Sequence, residues 1–100
     1  MNEDGQAFEI ERTDGPSGGA YRLSLEGSVA EMTFSRAGAH MIIIDHTEVP
    51  NALRGRRIGD RLVARAVSDA RDQGFKIFPL CPFAAAQFRK HQDYQDVLSR

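Results

Sequence analysis

One hundred residues allow one domain and little more, and a composition of 41% hydrophobic and 27% charged residues is that of an ordinary globular chain. A net charge of −1 excludes a general pull toward nucleic acid or anionic lipid, and a single cysteine excludes an internal disulfide and a cysteine-based zinc framework. The longest strongly apolar run, residues 41–44, is far too short to cross a bilayer, and the acidic start lacks a basic-then-apolar leader, so a cytoplasmic protein with no metal, nucleic-acid or membrane partner is expected.

Residues 1–6 are expected to be disordered and the rest to form a single domain. Phe8 and Ile10 alternate with Glu9 and Glu11, which predicts a first strand. Residues 13–19 are rich in turn formers. Tyr21, Leu23 and Leu25, and then Ala30, Met32 and Phe34 after a turn at Gly27-Ser28, repeat the period of two. Such alternation marks an antiparallel meander with one wet face. The fourth segment, 41–49, begins as a continuous apolar run and turns polar from Asp45, and Pro50 ends it. A strand of that kind is covered on both faces at its start and directs its far end into a cleft.

Ile58, Leu62, Val63, Ala66, Val67 and Ala70 recur at helical spacing over residues 57–73, and Gly74 stops the helix. Residues 75–80 form a short apolar strand. A second helix is predicted from about Phe83 to His91, with a short tail element at 94–98. The strand–helix–strand unit over 41–80 predicts a right-handed parallel crossover. The expected fold is α+β, with a mixed, mostly antiparallel sheet and two to three helices.

Three places carry candidate chemistry. The charge is uneven: residues 1–14 hold five acids against Arg12, whereas residues 54–65 hold five arginines against Asp60. The arginines surround Gly55 and Gly59 at the start of the long helix, where unpaired N–H groups and the helix dipole favour an anion such as a diphosphate. The same pattern also fits a plain helix start with a solvated arginine face. His46 and Glu48 share one face of the fourth strand, where a carboxylate can accept a proton from a reacting amine; they also suit an ordinary exposed strand end. Cys81, before Pro82, is either a thiol activated at a helix start or a small buried residue.

Taken together, His46-Thr47-Glu48-Val49-Pro50, Leu53-Arg54-Gly55-Arg56-Arg57-Ile58-Gly59 and Pro79-Leu80-Cys81-Pro82-Phe83 resemble the GNAT acetyltransferase superfamily, in particular its minimal single-domain branch of short, YjdJ-like proteins. The resemblance spans roughly residues 7–98. It implies a compact acyl-coenzyme A acyltransferase fold in which a parallel strand pair splays apart. Arg54 and Gly59 match the ends of the superfamily's phosphate signature, Arg/Gln-x-x-Gly-x-Gly/Ala, while Arg57 stands where its middle glycine is usual. Backbone N–H groups from Arg54 through Gly55, Arg56, Arg57 and Ile58 to Gly59 would bind the coenzyme diphosphate. The pantetheine arm would run past Glu48 and Val49, with Cys81 and Phe83 on the opposite wall.

Larger members carry Asn-x-x-Ala-x-x-x-Tyr after the next strand. Here Cys81 takes the asparagine place, Ala84 matches, and Phe88, assigned to the coenzyme site, replaces the tyrosine that protonates the leaving thiolate. The helical segment that shapes the acceptor pocket in larger relatives is also missing. The function implied is acetyl transfer from acetyl-coenzyme A to a primary amine of a small molecule, protein or peptide. Glu48 would be the base, with His46 as its backup and Cys81 as acid or transient acyl carrier. The alternative is a non-catalytic acyl-coenzyme A-binding or interaction module. A monomer or weak homodimer is expected.

Overall fold

The structure is a computed structural model that describes residues 9–99. The disorder expected at residues 1–6 and the strand start expected at Phe8 lie outside the described residues. The elements are β1 Ile10–Asp14, β2 Gly18–Leu25, β3 Ser28–Arg36, β4 Met41–Glu48, a 3-10 turn Asn51–Leu53, α1 Ile58–Gln73, β5 Lys76–Pro79, α2 Pro82–Lys90 and a 3-10 stretch Gln92–Val97.

The five strands lie in sequence order in one sheet; β1 to β4 pair antiparallel, and β4 pairs parallel with β5 through the α1 crossover. The fold is therefore α+β with a mixed, mostly antiparallel sheet. The β2–β3 turn lies one residue earlier than expected. Leu25 pairs with Ser28, and Glu26 and Gly27 both take positive φ, +53° and +81°, as a two-residue turn matching the strand twist requires.

Cross-strand pairing sorts the side chains. Tyr21 faces Met32, Leu23 faces Ala30 and Phe34 faces Ile44, all buried on one side of the sheet. On this side α1 contributes Ile58, Leu62, Val63, Ala66, Val67 and Ala70, and α2 contributes Ala84 and Phe88, all within a single apolar cluster. Helix α1 ends as expected, with Gly74 at φ +77° and its N–H donating to the Ala70 carbonyl at 2.8 Å. The opposite side of the sheet is open and carries Arg22, Glu31, Thr33, Ile43 and Phe78.

One irregularity decides what the end of β4 presents. Phe34 pairs with Ile44 but Thr33 pairs with His46, so Asp45 is an extra residue, a β-bulge. Before it, Ile42 and Ile44 face the core. After it the parity is reversed: Thr47 opposes buried Met32, and His46 and Glu48 oppose Thr33 and Glu31 on the open side. At the other end of the sheet, Leu98 bridges Ile77 and the Ser99 N–H donates to the Ile77 carbonyl at 2.8 Å, so the chain's tail covers part of the outer edge of β5.

Candidate functional site

Pro50 ends β4, and the following 3-10 turn buries Leu53. The chain then runs through Arg54, Gly55 at φ +84° and Arg57 at φ +60° before α1 begins. Two left-handed residues within three positions tighten this turn. Arg57 is the cap residue of α1, yet among the described residues no side chain caps the first N–H groups of the helix. The first intrahelical bond is from the Arg61 N–H to the Arg57 carbonyl, 3.2 Å. The N–H groups of residues 58–60 therefore remain as donors at the positive end of the helix dipole.

In front of these donors is a groove of about 460 Å³, lined by Thr47 and Val49, by Arg54 and Gly55, by residues 57–60 and by Phe83 of α2. Gly59 is fixed by packing: a Cβ there would come within 2.6 Å of the Phe83 ring. The Phe83 ring, 36% exposed, thus lies directly on the start of α1. The Arg54 Nε donates to the Val49 carbonyl at 3.3 Å, tying the turn to the end of β4. The Arg57 side chain is 73% exposed, with its Nε 3.4 Å from the Asp60 carboxylate.

The pairing of β4 with β5 stops at Ile44 and Pro79, followed by one bond from the Cys81 N–H to the Ile44 carbonyl at 3.0 Å. Beyond it β4 continues to Glu48 with no β5 residue beside it, so the parallel strands splay. Cys81 lies at this parting, 5% exposed. Its Sγ is 3.4 Å from the Thr47 Oγ1 and accepts the Ala84 N–H at 3.4 Å, capping α2. Proline as the first residue of α2 suits a helix start.

Residues 20–97 match the family described as GCN5-related N-acetyl-transferase. The chain belongs to this family. The solution structure of a GCN5-like protein from Staphylococcus aureus is similar, with a TM-score of 0.70 and 31% identity, covering 89% of this chain and 87% of that one. No curated protein matches the sequence.

The structure of this GCN5-related chain brings Val49, Arg54, Gly55, Arg57, Ile58, Gly59 and Phe83 to one groove. Cys81 touches it through Thr47. Arg56 turns away to an exposed ion pair with Glu26 at 3.0 Å, on the β2–β3 turn. Phe88 stands apart: it is 2% exposed, packs edge-on against Tyr94 and lines a different groove with Pro79, Ala85 and Leu98. His46 and Glu48 are exposed on the open side of the sheet. Glu48 faces Glu31, whose carboxylate is held by Arg22 at 2.7 Å. Among the described residues no group of three or more metal-ligating side chains occurs, and no helix is long and apolar enough to cross a membrane.

Thr47 and Asp60 were not anticipated in the groove. Thr47 could have been found only by locating the bulge, since unbroken alternation from Ile44 turns it outward. A second unanticipated cluster supports α1 from behind. The Asp69 carboxylate accepts from Tyr21 Oη at 2.8 Å, Arg12 at 2.9 Å and Arg65 at 3.2 Å. Burial alone would raise the Asp69 carboxyl; the three donors outweigh it and hold the group below its ordinary value. Burial, and then the Asp69 carboxylate, push the Tyr21 phenol well above its usual range.

Proposed function

We propose that this chain transfers an acetyl group from acetyl-coenzyme A to a primary amine. The observation that carries the proposal is the uncapped start of α1 beside Arg54 and Arg57, at the mouth of the gap between β4 and β5. These residues fit a diphosphate. Three backbone donors lie beside two guanidinium groups in the groove, and Gly59 adds no side chain of its own at the helix start, where the Phe83 ring packs. The carrier supplies an activated thioester carbonyl. The strand edge of β4 beyond Ile44, free of a β5 neighbour, offers backbone partners to the amides of the arm.

The acceptor amine approaches the gap from the open side of the sheet. There Glu48, with His46 as its alternate, takes the proton that the amine must lose. Positioning two reactants in one complex suffices, because a C–N bond forms as the C–S bond breaks. Cys81, or a water beside it, returns a proton to the departing thiolate. The open side is acidic near this point, with Glu31, Asp45 and Glu48 against Arg22, which favours a cationic acceptor such as a protein or peptide amine.

Calorimetry with acetyl-coenzyme A, followed by mass spectrometry of an amine panel, tests this reading. Glu48→Gln is expected to lower turnover about a hundredfold or more while leaving coenzyme affinity within about threefold. Full turnover in Cys81→Ala removes the acyl-carrier role. A second reading, a non-catalytic acyl-coenzyme A-binding module, is favoured by Phe88, which is buried and has no hydroxyl to serve as acid. Tight coenzyme binding with no thioester loss across the panel would support that reading against the first.

A further inference from the structure

Val29, Phe78, Leu80 and Phe83 are the large apolar side chains that stand exposed among the described residues. All but Val29 fall within residues 78–83, where β5 parts from β4. Single exposed apolar residues are ordinary, but several at the rim of one gap mark a contact surface. Phe83 lies in the groove at the start of α1. Phe78 does not. Ile77 beside it is buried in the core, so Phe78, 40% exposed, stands on the open side of the sheet, next to its half-buried partner Ile43. Leu80, 58% exposed, follows at the parting itself. The next residues of β4 on this side are polar. The Asp45 carboxylate accepts from Ser35 Oγ at 2.5 Å, and His46 and Glu48 follow. Arg22 is bound to Glu31 at 2.7 Å, and the Lys76 Nζ donates to the Asp96 carbonyl at 2.6 Å. Neither of these cations answers Asp45 or Glu48. An apolar shelf therefore adjoins an acidic rim. Because Asp45 is the bulge residue, Ile43 and His46 are two ladder steps apart, about 7 Å along the strand.

We propose that this shelf receives an apolar side chain of a peptide acceptor whose lysine is acetylated at the gap. In an extended peptide, residues two positions apart share a face and lie about 7 Å from one another. The step from His46 to Ile43 has the same length, so the occupant is a lysine with an aromatic or branched apolar residue two positions away. The lysine ammonium meets Asp45 and Glu48, and its apolar neighbour covers Phe78 and Leu80. The lysine nitrogen then gives a proton to Glu48 and forms the C–N bond as the C–S bond breaks, releasing the coenzyme thiolate. An open sheet side is a surface along which a chain can lie, whereas a small amine is held by enclosure. The inference rests on the transfer reading above and names the neighbourhood of its acceptor amine. Phe78 thereby sets specificity and takes no part in the chemistry.

The test is mass spectrometry of acetyl transfer from acetyl-coenzyme A to short peptides that hold one lysine and either phenylalanine or glycine two positions from it, with phenethylamine alongside. It is run on the wild type, Phe78→Ser and Leu80→Ser. The wild type is expected to favour the phenylalanine peptides about tenfold in kcat/KM, chiefly through KM. Phe78→Ser is expected to bring that ratio close to unity, and Leu80→Ser to lower it severalfold. Both side chains are exposed, so both variants are expected to melt near the wild-type temperature. The ratio is taken within one variant and does not depend on how much of it is folded. No preference in the wild type, or a preference unchanged in both variants, overturns the shelf assignment and leaves the transfer reading standing. Faster use of phenethylamine than of every peptide makes the acceptor a small amine and overturns the peptide assignment. A dimer in sedimentation that Phe78→Ser dissolves, with the preference unchanged, gives the shelf to a second copy of the chain and also overturns it. Transfer to none of the acceptors while the coenzyme binds overturns the transfer reading itself.

Discussion

Arg57 holds a left-handed backbone conformation that glycine would adopt freely, and its Cβ makes that conformation costly. The departure from the glycine usual in the signature the chain resembles is legible in the sequence, although its conformation is not. Arg57→Gly is expected to raise stability in urea by about 0.5–1 kcal/mol and to weaken coenzyme binding several-fold, because the turn relaxes while a guanidinium is lost. A gain in both would mean that the side chain crowds the diphosphate. Gly59 is constrained differently. The sequence marks it as a small residue near a phosphate, but only the structure shows Phe83 lying against it. Gly59→Ala is expected to swing that ring outward and to reduce coenzyme affinity about tenfold, with a stability loss of only about 1 kcal/mol because the ring is partly exposed. Calorimetry and thermal melting check the two halves separately.

Helix α1 is fixed at both ends of its function by different chemistry. Its start faces the groove, while Asp69, three turns on, binds it to β1 and β2 through Arg12 and Tyr21. The helix was legible from its 3.6-residue period, but this anchor was not, since Arg12, Tyr21 and Asp69 are far apart in the chain and each alone resembles a surface or core residue. Asp69→Asn is expected to cost about 2 kcal/mol. The pH dependence follows from the depressed carboxyl. Its stabilisation is complete above the ordinary value of 3.8 and is lost as pH falls through the lower folded value. The wild type should therefore lose stability steeply below about pH 4, and Asp69→Asn should show a shallower slope there in denaturant titrations. Strand β4 shows the opposite limit of legibility. Period two correctly put His46 and Glu48 on one face, but it leaves no mark where parity changes, so Asp45 gave no sign that this face is the open one.

The whole molecule separates its charges. A chain of net charge −1 has arginines around the start of α1 and acids along the far end of β3 and β4. The basic cluster was visible in the sequence because its arginines fall within residues 54–65; the acidic patch was not, because Glu31 and Glu48 meet only through strand pairing. Raising salt from about 0.05 to 0.5 M should weaken coenzyme binding and, in transfer assays, raise the KM for a cationic amine more than for a neutral one. Equal salt responses of the two amines would remove the charge argument for the acceptor. The tail has a further effect at this scale. With Leu98 and Ser99 laid against Ile77, the β5 part of one border of the sheet has a neighbour from its own chain at that point, and among the described residues β1 forms the opposite border. Strand-to-strand association through the β1 border alone saturates at two copies, whereas pairing through both borders can propagate. A chain ending at Val97 would free the second border, and sedimentation should then reveal species larger than a pair.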